Sequence, residues 1–186
     1  SFGFGQLTAT IVVDPTADNL VESNEDVILT VVGGANYNVG LGNVATGMIV
    51  NDDFTPNVSV AVSPSSVLEN GQQNLVYTFT RTQTANPLTV NFTIGGSASF
   101  GSDYAQSGAQ SFNGSTGTIT FGSGQTTATV TIDPNADSMI EGDETVVLTV
   151  ASGTGYSIVG PAATGTITND DFLPTVTLAV APASVV

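Results

Sequence analysis

The chain has 186 residues, 40% of them hydrophobic and only 9% charged, yet its formal charge is −15, with 16 acids facing a single base, Arg81. So acidic a balance excludes nucleic acid, whose phosphates need many Lys or Arg, and disfavours anionic membranes for the same reason. With no Lys, His or Cys, disulfides, Ser–His and Cys–His nucleophiles and the usual zinc site are excluded, so the chain is not read as an enzyme; and with no apolar run of transmembrane length, it is not expected to insert into a bilayer.

Helix signals are nearly absent. Apolar residues alternate instead with Thr, Ser and Asn, as half-buried strands require. Val58, Val60 and Val62 open the series. In residues 74–82, Leu75, Tyr77, Phe79 and Arg81 share one face and Val76, Thr78, Thr80 and Thr82 the other. Val90, Phe92 and Ile94 then look inward, followed by Ile119 and Phe121, by Ala128, Val130 and Ile132, by Val146, Leu148 and Val150, and by a short run at 165–168. About seven strands separated by Gly, Asn, Ser and Pro turns predict an all-β fold, a β-sandwich. The β-branched Thr content suits strands and keeps their outer faces polar.

The chain also repeats itself. GQLTATIVVDPTADNLVESNEDVILTV from Gly5 matches GQTTATVTIDPNADSMIEGDETVVLTV from Gly124, and VNDDF from Val50 matches TNDDF from Thr168. The repeat divides the chain into the C-terminal half of a module at 1–53, a complete module at 54–171 and the first strand of a third at 172–186. Residues 1–53 carry half a core and are not expected to be stable alone; strands borrowed from a neighbouring module or from another copy would complete them. The joints, NDDFTP at 51–56 and NDDFLP at 169–174, lack the Gly/Ser content of a flexible tether, and Pro56 and Pro174 stiffen them.

The acids recur in the same frame. Asp137 and Glu141 repeat as Asp18 and Glu22, Asp170 and Asp171 as Asp52 and Asp53, and Asp133 and Glu144 as Asp14 and Glu25. Acids on loops are often only solvated, and Asn-Asp-Asp is also a turn sequence. The combination of DxxxE with a later NDD, present twice, points instead to a hard divalent cation. Calcium takes 6–8 oxygen ligands from carboxylates and carbonyls on loops, whereas magnesium keeps its waters in a tighter octahedron. Calcium is therefore the expected ion.

VLENG at 67–71, GSDY at 101–104, ADSMIEGDETVVLTV at 136–150 and GTITNDD at 165–171 resemble the Calx-beta family. That resemblance implies tandem immunoglobulin-like β-sandwich modules of seven strands, calcium held by acidic loops at one end, and a place in a large bacterial-type extracellular or cell-surface protein. It implies Glu69 and Asp103 as further ligands beside Asp137, Glu141, Asp170 and Asp171. Ala136 and Asn169 stand where acids often do in the family, which sets the expectation at one or two ions per module. The function so implied is that of a calcium-stabilised spacer whose partners are its neighbouring modules, with homotypic assembly, calcium sensing and carbohydrate adhesion as the alternatives. Three glycosylation-like triplets, at Asn57, Asn91 and Asn113, are of a kind expected by chance in so Ser/Thr-rich a chain. Tyr37 and Tyr156, each following a Gly-containing turn, read as packing anchors.

Overall fold

In the computed structural model, residues 2–18, 20–83 and 86–181 are described, and they form strands and no helix. They fall into two units, Ser1–Phe54 and Thr55–Val186.

The first unit holds two antiparallel strands, β1 (Glu25–Thr30) and β2 (Val44–Ile49), with Glu25 opposite Ile49 and Thr30 opposite Val44. Most of its apolar side chains stay in solvent, Leu7, Ile11, Val12, Leu20 and Ile28 among them. Residues 8–13 form no strand, although they repeat residues 127–132, which do. In the second unit that strand is held on both sides by neighbours that have no counterpart within residues 2–54. Local turn chemistry survives without a core. Gly3 N donates to Gln6 Oε1 at 2.7 Å and Tyr37 Oη to the Val32 carbonyl at 2.6 Å. In the second copy Gly122 N and Gln125 Oε1, and Tyr156 Oη and the Ala151 carbonyl, repeat both bonds at the same lengths.

The second unit contains β3 (Asn57–Ser63), β4 (Ser66–Leu68), β5 (Leu75–Arg81), β6 (Leu88–Gly96), β7 (Tyr104–Ser107), β8 (Ser111–Phe112), β9 (Thr116–Phe121), β10 (Thr127–Pro134), β11 (Glu144–Val150), β12 (Ser157–Ile158) and β13 (Ala163–Thr168). One sheet runs β12-β3-β5-β10-β7 and the other β4-β13-β11-β6-β9-β8. Every run read from the sequence becomes a strand. Four short strands, β4, β7, β8 and β12, join them, so the described unit has eleven strands where the sequence suggested seven. Strands of two to four residues are too short to show a period.

Between the sheets lie Leu75, Tyr77 and Phe79 of β5, Val90 and Phe92 of β6, Ile119 and Phe121 of β9, Val130 and Ile132 of β10, and Val146 and Leu148 of β11. Each such side chain stabilises the fold by about 1.5–3 kcal/mol relative to exposure. Tyr77 crosses the interior: its hydroxyl donates to the Val146 carbonyl at 2.6 Å and accepts from Gly165 N at 3.1 Å. Burial pushes that phenol far above its ordinary pKa. Position 165 must be Gly, because a Cβ there would lie 2.6 Å from the Tyr77 oxygen.

Arg81, buried at the far end of β5, donates to the carbonyls of Gln125, Asn86 and Gly122 and lies 5.2 Å over the Phe121 ring. These contacts satisfy a buried charge that would otherwise be costly. The chain's single base thus sits about 20 Å from the opposite end of β5, where the acidic loops gather. Beyond Asp171, residues 172–181 take no strand pairing, and Phe172, Leu173, Val176, Leu178 and Val180 are exposed. Residues 182–186, the rest of the expected opening strand, lie outside the described residues.

Candidate metal centre

Parallel pairing of β4 with β13 sets Leu68 beside Thr168, so the residues that follow each strand emerge together. Glu69 follows one and Asn169, Asp170 and Asp171 follow the other; Glu69 N donates to the Thr168 carbonyl at 3.0 Å and fixes the pair. The loop from β10 to β11 brings Asp137 and Glu141 to the same end. Asp137 Oδ1 accepts from Met139 N at 2.6 Å, an Asx turn that holds the carboxylate in place. From the β6–β7 loop, Asp103 Oδ2 accepts from Ser99 N at 2.6 Å, and the Asp103 carbonyl accepts from Asn135 N at 2.9 Å. That second bond ties this loop to the exit of β10.

The result is a triplet. Carboxylate oxygens of Glu69, Asp137 and Asp171 all lie within 4.8 Å of one another. Glu69, Asp103, Asp137, Glu141, Glu144 and Asn169 line a cleft of about 10 Å³, room for roughly one water-sized particle.

No hydrogen bond reaches the Glu69 carboxylate among the described residues, though Glu69 is only 8% exposed. Burial raises its pKa, and the charges of Asp137, Asp171, Glu141 and Asp170 raise it further. Glu144 is shifted the same way, first by burial and then by the charge and hydrogen bond of Asp103. Two like charges about 4 Å apart repel by about 4 kcal/mol at an effective dielectric of 20. As a set of protein groups alone, the cluster is therefore strained.

Its unsatisfied atoms are all acceptors. Asn169 Oδ1 and Asp171 Oδ2 are buried without a hydrogen-bond partner, an arrangement that calls for an explanation such as an ion. Asn169 is held by its N–H to Asp143 Oδ1 at 3.2 Å and by Nδ2 to the Asp171 carbonyl at 3.1 Å, which leaves Oδ1 as the free donor of electrons. An all-oxygen, anionic, loop-borne set fits a hard divalent cation.

The sequence-predicted residues divide accordingly. Glu69, Asp137 and Asp171 converge, and Asp103 and Glu141 line the same cleft. Asp170 is turned to Asn70, its Oδ1 accepting from the backbone N at 3.3 Å and from Nδ2 at 2.9 Å. Asp18, Glu22, Asp52 and Asp53 line a wider cleft of about 350 Å³ in the first unit; among the described residues they form no comparable triplet. Their local geometry still copies the second unit, with Leu20 N on Asp18 Oδ1 at 2.8 Å and Asn51 Nδ2 on the Asp53 carbonyl at 2.9 Å. What is missing there is any counterpart of Glu69 and Asp103. Two lining residues, Glu144 and Asn169, were not selected from the sequence. Their signal was the repeat itself, since they recur as Glu25 and Asn51.

The family model for the Calx-beta domain matches residues 51–171. Among solved structures, the apo form of the Calx CBD1 domain is 22% identical, with the match covering 63% of this chain and 100% of that one at a TM-score of 0.49. CBD12 from CALX1.2 is 22% identical over 60% of this chain, and the calcium binding domain CBD12 of CALX1.1 is 23% identical over 61%; both have TM-scores of 0.47, and the match spans 45% of each. No curated protein sequence matches. With the family model running from Asn51 to the last acid of the cluster and so covering the whole sandwich of the second unit, the chain belongs to the Calx-beta domain family.

Proposed function

We propose that the second unit is a calcium-binding structural module, one of a tandem series of immunoglobulin-like sandwiches in an extracellular or cell-surface protein. The observation that carries this reading is the convergence of Glu69, Asp137 and Asp171 beside the two orphaned oxygens of Asn169 and Asp171. Glu69, Asp137, Asp171 and Asn169 would hold the ion directly, Asp103, Glu141 and Glu144 would complete or extend the site, and Asp170 would join after leaving Asn70. Calcium would supply positive charge where the loops repel one another. Because Asp171 lies three residues before Pro174, binding would also stiffen the joint that leaves the module. The half-module at 1–53, the complete module at 54–171 and the strand at 172–186 follow from the same reading. Asp18, Glu22, Asp52 and Asp53 would then be the ligands of the first copy once its other half is present. The chain's partners would be neighbouring modules, with homotypic assembly as an added outcome.

A calcium titration read by thermal unfolding, with magnesium as control, tests the proposal. A saturable rise in melting temperature, selective for calcium and weakened in Asp137→Ala, is expected; a ligand at a hundredfold excess over its Kd adds about 2.7 kcal/mol. No shift and no bound ion would leave a sandwich with solvated acids. Calcium sensing is a second reading, favoured by the placement of Asp171 at the exit joint. A change in module orientation near the binding midpoint, measured by small-angle scattering on a tandem pair, would separate sensor from spacer.

A further inference from the structure

Two Asn-Gly dipeptides lie in the chain, Asn70–Gly71 and Asn113–Gly114. Such a pair is the least hindered case for attack of a backbone nitrogen on the preceding side-chain amide, since Gly offers no Cβ. Both asparagines are exposed, but the structure treats them differently.

At the β8–β9 turn, Asn113 Oδ1 accepts from Ser115 N at 3.0 Å, Thr116 N at 2.8 Å and Thr116 Oγ1 at 3.3 Å. These bonds to the carbonyl oxygen draw electron density from Cγ, and among the described residues they leave the departing Nδ2 without a hydrogen bond. Gly114 adopts a φ of +84°, and among the described residues no hydrogen bond holds its N–H. At Asn70 the attacking group and the leaving group are both tied down. Gly71 N donates to the Leu68 carbonyl at 3.2 Å, and Asn70 Nδ2 donates to Asp170 Oδ1 at 2.9 Å.

We propose that Asn113 is a site of spontaneous deamidation in the folded protein, and that Asp170 keeps Asn70 from the same reaction. At Asn113 the Gly114 nitrogen gives its proton to water and bonds to Cγ. Nδ2 takes a proton back from water, the Cγ–Nδ2 bond breaks and ammonia departs, leaving a cyclic imide. Water then opens the imide at either carbonyl, giving Asp or isoaspartate, with no change of oxidation state. The Asp product keeps an acceptor for the turn's donors. The isoaspartate product adds a methylene to the backbone and breaks the Asn113 N to Thr116 O bond of 3.1 Å. At Asn70 the reaction would instead set a new carboxylate against Asp170, beside the acidic cleft. A hydrogen bond to a charged acceptor that must be broken before reaction slows it about tenfold or more.

The full chain would be incubated at mildly alkaline pH with chelator, folded and in urea, then digested and mapped by mass spectrometry, with isoaspartate read by enzymatic methylation. Expected is conversion of Asn113 at least about tenfold faster than Asn70 when folded, and comparable rates in urea. An inert Asn113 in the folded chain, or an Asn70 that keeps pace with it, would overturn the proposal. Asp170→Ala, checked for folding by circular dichroism, should release Asn70 to react; an Asn70 still inert in that folded variant would overturn the protective role of Asp170. If that variant does not fold, Asp170→Asn, which keeps the side chain's size but removes the charged acceptor, reads the role of Asp170 in its place, and the comparison of the two sites in the unsubstituted chain tests Asn113 by itself. Chelator throughout keeps the result independent of calcium.

Discussion

Tyr77 is the residue on which the packing of the two sheets is most exposed to test. Its hydroxyl lies in the fully buried layer between the sheets, and it serves one strand as donor and another as acceptor. Tyr77→Phe keeps the ring but strands the Val146 carbonyl and the Gly165 N–H in the interior, which costs about 1–3 kcal/mol. Denaturant unfolding should show the loss as a lower midpoint with an unchanged slope. Gly165→Ala attacks the same contact from the other side, and its Cβ has no room; a comparable or larger loss is expected. At the acidic end the sign reverses. Glu69→Gln removes a buried, repelled charge, so the metal-free protein should gain about 1–3 kcal/mol while its stabilisation by calcium falls. A Glu69→Gln variant less stable than the parent in chelator would mean that the carboxylate is compensated after all.

At the scale of loops and strands the acidic cluster acts as a unit, and its pH response follows from Glu69 and Glu144. Both carboxyls are raised above their ordinary value of 4.5 by burial first and neighbouring charge second. Below that value they are protonated in folded and unfolded chains alike. As pH climbs through the raised values the unfolded chain has already shed its protons, so the folded state is penalised. Metal-free protein should therefore melt higher near about pH 5 than near about pH 7, and saturating calcium should invert the trend, because protons compete with the ion for the same oxygens. Melting curves across that range, with chelator and with calcium, would show the crossing. Much of this unit was legible beforehand. Alternation in β5 gave Leu75, Tyr77, Phe79 and Arg81 on one face, and all four are buried. The acids of the β10–β11 loop and the NDD run were visible through their recurrence. Strand order was not, since β4 beside β13 and β12 beside β3 are parallel pairings of short segments far apart in sequence. Nor was the turning of Asp170 toward Asn70, which depends on that parallel pairing. Glu144 and Asn169 escaped because one lies inside a strand and the other is neutral.

For the whole molecule, the contrast between the two copies separates what local sequence encodes from what a core must supply. Both copies have the Gly–Gln turn and the Tyr hydroxyl bond, and they share a ladder register, Glu25 opposite Ile49 repeating as Glu144 opposite Ile167. In the first copy these features sit on apolar side chains that remain largely in water, with Leu29 40% exposed, whereas the matching Leu148 of β11 is fully buried. An isolated two-stranded ribbon is marginally stable at best, and local opening free energy follows the apolar contacts that must be broken. Amide hydrogens of β1 and β2 should therefore exchange with little protection, while those of β5, β10 and β11 exchange only through global unfolding of the second unit. By the same reasoning, removal of residues 1–53 should leave the main melting transition of the remaining chain where it was. Protection in β1 and β2 that rises with protein concentration would show that another copy covers the ribbon, and would make homotypic pairing part of the function. Protection independent of concentration and equal to that of β5 would mean that the first unit is stabilised by something its own packing does not supply.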